Sequence, residues 1–332
     1  MEQSQQAVPP VEAGRLERHV AMVSGPRNAL NAVRHHGVVA EYIAAQFAEA
    51  GWQVRRQGLE VATAAVDVHH AARERAGGEL PEVISGANII ASLTGEPADP
   101  GRTILIGAHY DTVRDSPGAD DNGSGIAALL ELARVLRGSP FAADLMFAAF
   151  DMEEIGCLGA AELVRAGQGQ VRTALVLESV GFYSETPGSQ QMPVAFGLLW
   201  PAVSRSLRRA GSRGDWSLVV YRKASRQAAA ALADAARSVA GGHHVLPVRD
   251  PLDIPVLGRV IRLLAPSLNV SRSDHREFWR AGTPALAITD TANFRNPNYH
   301  REGDLPETLN YDYLAQVCEC VADALARMTG HQ

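Results

Sequence analysis

The sequence predicts an α/β protein with a mixed, largely parallel central sheet and helices on both faces. Three short apolar runs carry that prediction: Ile104-Leu-Ile106, Leu145-Met-Phe-Ala-Ala-Phe150 and Thr173-Ala-Leu-Val-Leu177. Each has the length of a buried strand rather than of a helix. Helical periods separate them, one from about Gly123 to Arg137 and one from about Leu158 to Ala166. This β-α-β-α-β alternation requires crossover connections, which make the strands parallel and place helices over the sheet.

The remaining elements follow in order. Residues 1–10 are polar and Pro-containing and are expected to be disordered. A helix from Arg15 carries Leu16, Val20 and Val23, and a longer one carries Val38, Tyr42, Ile43 and Phe47 at helical spacing up to Ala50-Gly51. Trp52-Gln-Val54 alternates like a strand. The stretch 62–87, with His69-His70, lacks a period and reads as irregular or edge structure with solvent-exposed histidines. Asn88 to Leu93 is a further strand. In the helix after the first core strand, Ile126, Leu129, Leu130, Ala133 and Leu136 share a face, and Gly138 and Pro140 stop it.

Between 184 and 270 the chain changes character and is expected to form an inserted lobe over the sheet edge, a wall for a substrate pocket. It holds a strand-like Trp216–Tyr221, a helix-like Ala224–Val239 and the loop pair His243-His244, read as exposed. Beyond it, Ser273-Asp274-His275 opens a short helix and Thr283–Asp290 is another core strand. A helix from Tyr311 to Met328, with Leu314, Val317, Val321 and Leu325 on one face, closes the chain. All 332 residues are expected to make one domain.

Composition narrows the function classes. The chain is 46% apolar and 20% charged, with net charge −6, pI near 6.0 and no basic run interleaved with aromatics, which argues against a nucleic-acid partner. No stretch reaches about 18 apolar residues and no signal-peptide pattern opens the chain, so neither a membrane span nor secretion is expected. Cys157, Cys318 and Cys320 form no ligand grouping, since positions two apart on a helix face different ways. A reduced, cytoplasmic location fits them.

The chemistry is concentrated at the strand ends. The first core strand runs into His109-Tyr-Asp111, followed by Gly118-Ala-Asp-Asp121-Asn-Gly-Ser-Gly125; the second runs into Asp151-Met-Glu153-Glu154, and the third into Glu178. In parallel sheets ligands bind just outside the carboxyl ends of the strands. Seen alone, the aspartates around 120 serve equally well as helix-capping residues. Together with the glutamates they would repel one another unless cations offset them, and imidazole with carboxylate is a donor set for zinc. A metal pair is the economical reading. His300, in Asn298-Tyr299-His300-Arg-Glu-Gly-Asp304, is a further candidate at the same end of the sheet.

The motifs AHYD, GADDNGSG, DMEEIG, VLES and NYHREGD, in that order between about residues 85 and 325, resemble the M28 family of co-catalytic zinc aminopeptidases. The resemblance implies a zinc-peptidase α/β/α sandwich and two Zn²⁺ ions per chain. It assigns His109 and Glu178 to one zinc, Glu154 and His300 to the other, and Asp121 to both. It makes Glu153 the general base and Asp111 the residue that orients His109, and it matches Tyr299 to a tyrosine that polarises the scissile carbonyl in some relatives, a buried structural tyrosine being the other reading. The implied substrates are peptides with a free N-terminus. Several well-known members carry Asp where this chain has Glu178, the same ligand chemistry on a longer arm. His275 matches a recurrent segment that leaves a pocket role and helix capping around Asp274 both open.

Competing readings use the same scaffold. A related enzyme class uses one zinc to cyclise N-terminal glutamine, and two metals per chain would argue against it. A carboxypeptidase or other amidohydrolase needs a cation for a carboxylate, for which Arg222, Arg272 and Arg295 are candidates. A non-catalytic binding domain fits poorly with a complete ligand set and base.

Overall fold

The computed structural model describes residues 9–66, 81–95, 99–167, 170–239, 242–256, 258–259, 261 and 270–330. Among the described residues, eight strands form one mixed sheet: β1 (Gln53–Ala62), β2 (Val83–Ser92), β3 (Ile104–His109), β4 (Leu145–Phe150), β5 (Thr173–Glu178), β6 (Ser217–Tyr221), β7 (Val245–Arg249) and β8 (Ala285–Thr289). Their order across the sheet is β1-β2-β4-β3-β5-β8-β6-β7. The core β4-β3-β5-β8 is parallel throughout, whereas β1 with β2, β2 with β4 and β6 with β8 pair antiparallel.

Every residue of β3 and β4 is buried, the signature of strands covered on both faces. The period of two assigns their side chains to two cores. Ile104, Ile106, Leu145, Phe147 and Ala149 pack in one core with α1 (Ala13–Val23), α2 (Val33–Glu49), α3 (Gly125–Leu136), α7 (Arg226–Ala236) and α9 (Tyr311–Thr329). Leu105, Met146, Ala148 and Phe150 face the other way, against Ala160 and Leu163 of α4 (Leu158–Arg165) and Phe278 and Trp279 of α8 (His275–Arg280). Two short helices, α5 (Val194–Leu199) and α6 (Pro201–Arg209), follow β5 in the chain.

Gly107 lets Phe150 lie flat across β3, because a Cβ at this position would stand 2.3 Å from the Phe150 ring. Gly107→Ala is therefore expected to cost about 1–3 kcal/mol by overpacking. A urea midpoint unchanged in this variant would show that the ring moves freely.

The stretch 62–87 is edge structure as expected where it is described: Ala62 and residues 83–87 belong to the edge ribbon in which β1 and β2 pair from Gln53 opposite Ser92 to Ala62 opposite Val83. Ahead of that stretch, Arg55, Arg56 and Glu60 place polar side chains along β1, which runs well beyond the expected Trp52–Val54. His69 and His70 lie outside the described residues, as do residues 1–8 of the expected disordered start. Three expectations need correction. The segment 184–270 does not stand apart as a lobe, since β6 and β7 extend the central sheet beyond β8. Apolar side chains on both faces of Ser217–Tyr221 make that edge a sheet position. In α2, Val38 is exposed while His36 takes a core position with Val39, Ala40, Ile43 and Phe47. His243 is buried against Tyr313, ring centroids 5.4 Å apart, and only His244 is exposed.

Burial lowers the pKa of His243 to about 4, and that of His19, whose Nδ1 lies 2.7 Å from the Tyr42 hydroxyl, to about 4 as well. Above pH about 6.5 both are neutral in folded and unfolded chain, so they contribute nothing to a pH dependence. As pH falls from there toward 4 the unfolded chain takes protons that the folded one refuses. Each is expected to remove about 2 kcal/mol of stability between pH 7 and 5. Urea unfolding of the His19→Gln, His243→Gln double variant should show a shallower loss over that range, and equal slopes would refute the assignment. Among the described residues no helix is long and apolar enough to cross a membrane.

Candidate metal centre

The four parallel strands β4, β3, β5 and β8 bring their carboxyl ends together. His109 closes β3, Glu178 closes β5, the turn carrying Glu153 and Glu154 follows β4, and the loop beyond β8 carries Tyr299 and His300. Asp121 comes from the turn between β3 and α3, where Gly118 adopts φ +60° and a Cβ would meet Asp121 O at 2.5 Å. The peptide between Asp121 and Asn122 is cis.

The two histidines meet across Asp121. His109 Nε2 lies 3.2 Å from Asp121 Oδ1 and 3.3 Å from Glu178 Oε2. His300 Nε2 lies 2.9 Å from Asp121 Oδ2 and 3.3 Å from Glu154 Oε2. Each of the sets His109-Asp121-Glu178 and Asp121-Glu154-His300 offers three ligand atoms within 4.8 Å of one another. These contacts are close but poorly aligned for hydrogen bonding: His109 Nε2, Asp121 Oδ1, Glu154 Oε1 and His300 Nε2 are buried without a hydrogen-bond partner. Buried polar atoms are otherwise almost always paired. Imidazole nitrogens set beside carboxylate oxygens in two such groups fit divalent zinc. Burial alone would keep His300 neutral, yet Glu154 and Asp121 raise its pKa to about 11, so the carboxylates already demand positive charge here.

Asp111 acts as a clamp. Its Oδ1 accepts from Glu153 N (3.0 Å) and lies 3.4 Å from His109 Nδ1, and its Oδ2 accepts from Glu154 N (3.1 Å). One carboxylate thus orients the imidazole and the glutamate turn together. Glu153 Oε1 accepts from Cys157 Sγ at 3.2 Å, and burial raises the Glu153 pKa well above the usual carboxylate range. Tyr299 stacks on His300, centroids 3.9 Å apart and 15° from coplanar, and burial pushes its phenol up.

Residues that motif reading did not single out hold the frame. Asp304 accepts from Asp120 N and Asp121 N at 2.9 and 3.1 Å, and Asp120 accepts from Gly181 N and Asn296 Nδ2. Asn122 bridges to β5 through Leu177 O and Ser179 N. Ser273 Oγ donates to Glu178 Oε2 at 2.7 Å. Arg27, fully buried, donates to the carbonyls of Tyr110, Pro117 and Gly118 at 2.6–2.8 Å. Asp120, Asp304 and Asn122 sit inside the quoted motifs, so adjacency was a usable signal for them. Arg27, more than 80 residues upstream of the loop it holds, had none.

Asp274 does not cap α8: its side chain makes no cap hydrogen bond, and both carboxylate oxygens are buried without a partner. His275 is buried edge-on to Trp279, with Nε2 3.1 Å from Val270 O, and burial lowers its pKa to about 4. It borders a largely apolar cavity of about 320 Å³ that also touches Glu178 and Tyr299 and is walled by Phe196, Trp200, Val220 and Phe294. The wall that 184–270 was expected to supply is present in Phe196 and Trp200. A more open hollow of about 670 Å³, between β1 and α4, contains none of the metal-centre residues.

Residues 88–231 match the family described as peptidase family M28. The chain is 30% identical to the uncharacterised protein YfbL of Escherichia coli (strain K12), over 95% of this chain and 87% of that protein. Over a shorter stretch of 61 residues, 18% of this chain and 13% of the other, it is 49% identical to aminopeptidase YwaD of Bacillus subtilis (strain 168). It spans about half the length of fungal proteins named probable zinc metalloproteases, such as that of Pyricularia oryzae. In fold it is similar to the zinc aminopeptidase BSAP from Bacillus subtilis, with TM-score 0.67 and 17% identity over 97% of this chain and 96% of that one. A glutaminyl cyclase from Bacteroides thetaiotaomicron matches at TM-score 0.62 and 18% identity, over 96% and 98% of the two chains.

Proposed function

We propose, from the premise that this chain belongs to peptidase family M28, that it is a two-zinc exopeptidase releasing the N-terminal residue of peptides. The observation that carries the reading is the sharing of Asp121 between two complete ligand sets. His109 and Glu178 would hold one zinc, Glu154 and His300 the other, and Asp121 both. When bound there, zinc supplies Lewis acidity for the scissile carbonyl and acidifies water.

The protein's own groups do the rest. Glu153, with Oε1 engaged by Cys157 Sγ, keeps Oε2 to take the proton of the attacking water and to return it to the leaving amine. Asp111 holds Glu153 at the correct reach through the backbone of the glutamate turn. The Tyr299 hydroxyl, beside His300, hydrogen-bonds the carbonyl oxygen of the scissile amide. Glu153, Glu154 and Glu178 attract a free α-ammonium, which is the physical reason for acting at an N-terminus. The apolar cavity takes the first side chain, so large aliphatic or aromatic first residues are favoured.

The test is a mixed peptide pool, half with acetylated N-termini, incubated with zinc-loaded protein and followed by mass spectrometry alongside metal analysis. Loss of single residues from free N-termini only, with two zinc ions per chain, is expected. Trimming from the carboxyl end, or indifference to acetylation, would transfer the activity to a carboxypeptidase or amidohydrolase. One zinc per chain with cyclised N-terminal glutamine would make it a cyclase.

A further inference from the structure

Three arginines were candidates to receive a carboxylate, and their surroundings separate them. Arg295 is buried and spent on Gln190 Oε1 and the carbonyl of Trp216. Arg222 pairs with Asp250 at 2.8 Å and lies over the Trp279 ring at 4.2 Å. Arg272 is exposed and lines the same cavity as Glu178 and Tyr299. Its Nη1 donates to Asn293 Oδ1 at 2.9 Å, and among the described residues no Asp or Glu lies within ion-pair distance of it.

Its place in the chain fixes it to the metal centre. The next residue, Ser273, donates to Glu178 Oε2, so the backbone that presents Arg272 is anchored to a ligand. The other basic group on the cavity wall, His275, has its pKa lowered to about 4 by burial and is neutral at physiological pH. Arg272 is thus the place where a negative charge is welcome, and a guanidinium fork preset by Asn293 matches a carboxylate geometrically.

We infer that Arg272 recognises a substrate carboxylate at the mouth of the cavity. This rests on the aminopeptidase reading and narrows it to peptides that present such a group close to the scissile bond. Two sources share the chemistry: the C-terminal α-carboxylate of a dipeptide or tripeptide, and the side chain of an acidic residue near the N-terminus.

The experiment compares kcat/KM of the zinc-loaded enzyme on Leu-Leu against Leu-Leu-amide, and on Glu-Leu-amide and Leu-Glu-amide against their Gln counterparts, in wild type, Arg272→Gln and Arg272→Lys. The wild type is expected to favour the carboxylate member of one pair by roughly tenfold or more. That ratio should collapse toward one in Arg272→Gln and be partly restored in Arg272→Lys. Discrimination in the Leu-Leu pair identifies a short-peptide enzyme, and discrimination in the Glu pairs identifies an acidic side chain. Cleavage of every peptide with no carboxylate preference, or a preference that survives in Arg272→Gln, overturns the role of Arg272 while leaving the aminopeptidase standing. Absence of cleavage of any free-N-terminal peptide overturns both.

Discussion

Glu153→Gln is expected to keep both zinc ions and to lose turnover by about 10²–10⁴-fold, the range that a positioned general base contributes. The amide preserves the shape of the side chain and can still accept from Cys157 Sγ, but it has no basic oxygen with which to take a proton. Because Glu153 contributes no atom to either ligand set, metal content should stay at the wild-type value. The diagnostic is therefore the pair of measurements: zinc per chain by metal analysis, and kcat on a peptide with a free N-terminus. Near-native kcat with full metal would remove Glu153 from the reaction, while lost metal would make it part of the ligand frame.

The second large effect is expected at Arg27. Its guanidinium is wholly buried and touches no carboxylate; instead it gathers the carbonyls of Tyr110, Pro117 and Gly118, and that of Gly25 at 3.3 Å, while its backbone pairs with Thr112. The first three carbonyls belong to the loop that connects His109 to Asp121. Burial lowers the Arg27 pKa to about 10, which still leaves it charged at neutral pH, and the negative potential of Asp304, Asp111, Asp121 and Glu154 supports that charge.

Arg27→Met removes the donors and the charge together. The carbonyls are left unpaired and the carboxylate cluster loses a compensating cation, so a loss of about 3–5 kcal/mol is expected, comparable to breaking a buried ionic arrangement. Zinc affinity should fall with it, because the loop that spaces His109 from Asp121 loses its frame. Arg27→Lys should fall between the two, since an ammonium cannot span carbonyls set in a fork. A urea midpoint for Arg27→Met within 1 kcal/mol of wild type by linear extrapolation would show that the loop holds itself.

Both predictions start from residues whose visibility in the sequence differs. Glu153 stands in plain view: it follows an apolar run and is paired with a second glutamate, and its role as base was implied by the resemblance to the M28 family. The same holds for His109, Asp121, Glu178 and His300, each at or beyond a strand end, and the structure brings all of them together with Glu154. The parallel core strands were legible for a related reason. They are buried on both faces, so hydrophobicity alone marks them, and Leu145–Phe150 has the bounds expected of it.

Other elements were legible only in part. The β1-β2 ribbon lies at the edge of the sheet, where one face meets water and polar residues are tolerated, so its pattern resembles a loop. Strands β6 and β7 are short and follow helices, which made them look like an appendage rather than part of the sheet. His243 looked like an exposed loop residue beside glycines, yet the ring of Tyr313, far along the chain, covers it.

By itself, the sequence determined the fold class and the end of the sheet at which the candidate ligands gather, because strand burial and strand-end chemistry are local and repeat in order along the chain. Only the tertiary structure decided that Arg27 braces the metal loop, that Asp274 is an unpaired carboxyl rather than a cap, and that Arg272 alone of three arginines faces the cavity. Those roles depend on which distant groups pair with a side chain once the chain closes, and no local pattern encodes the partner.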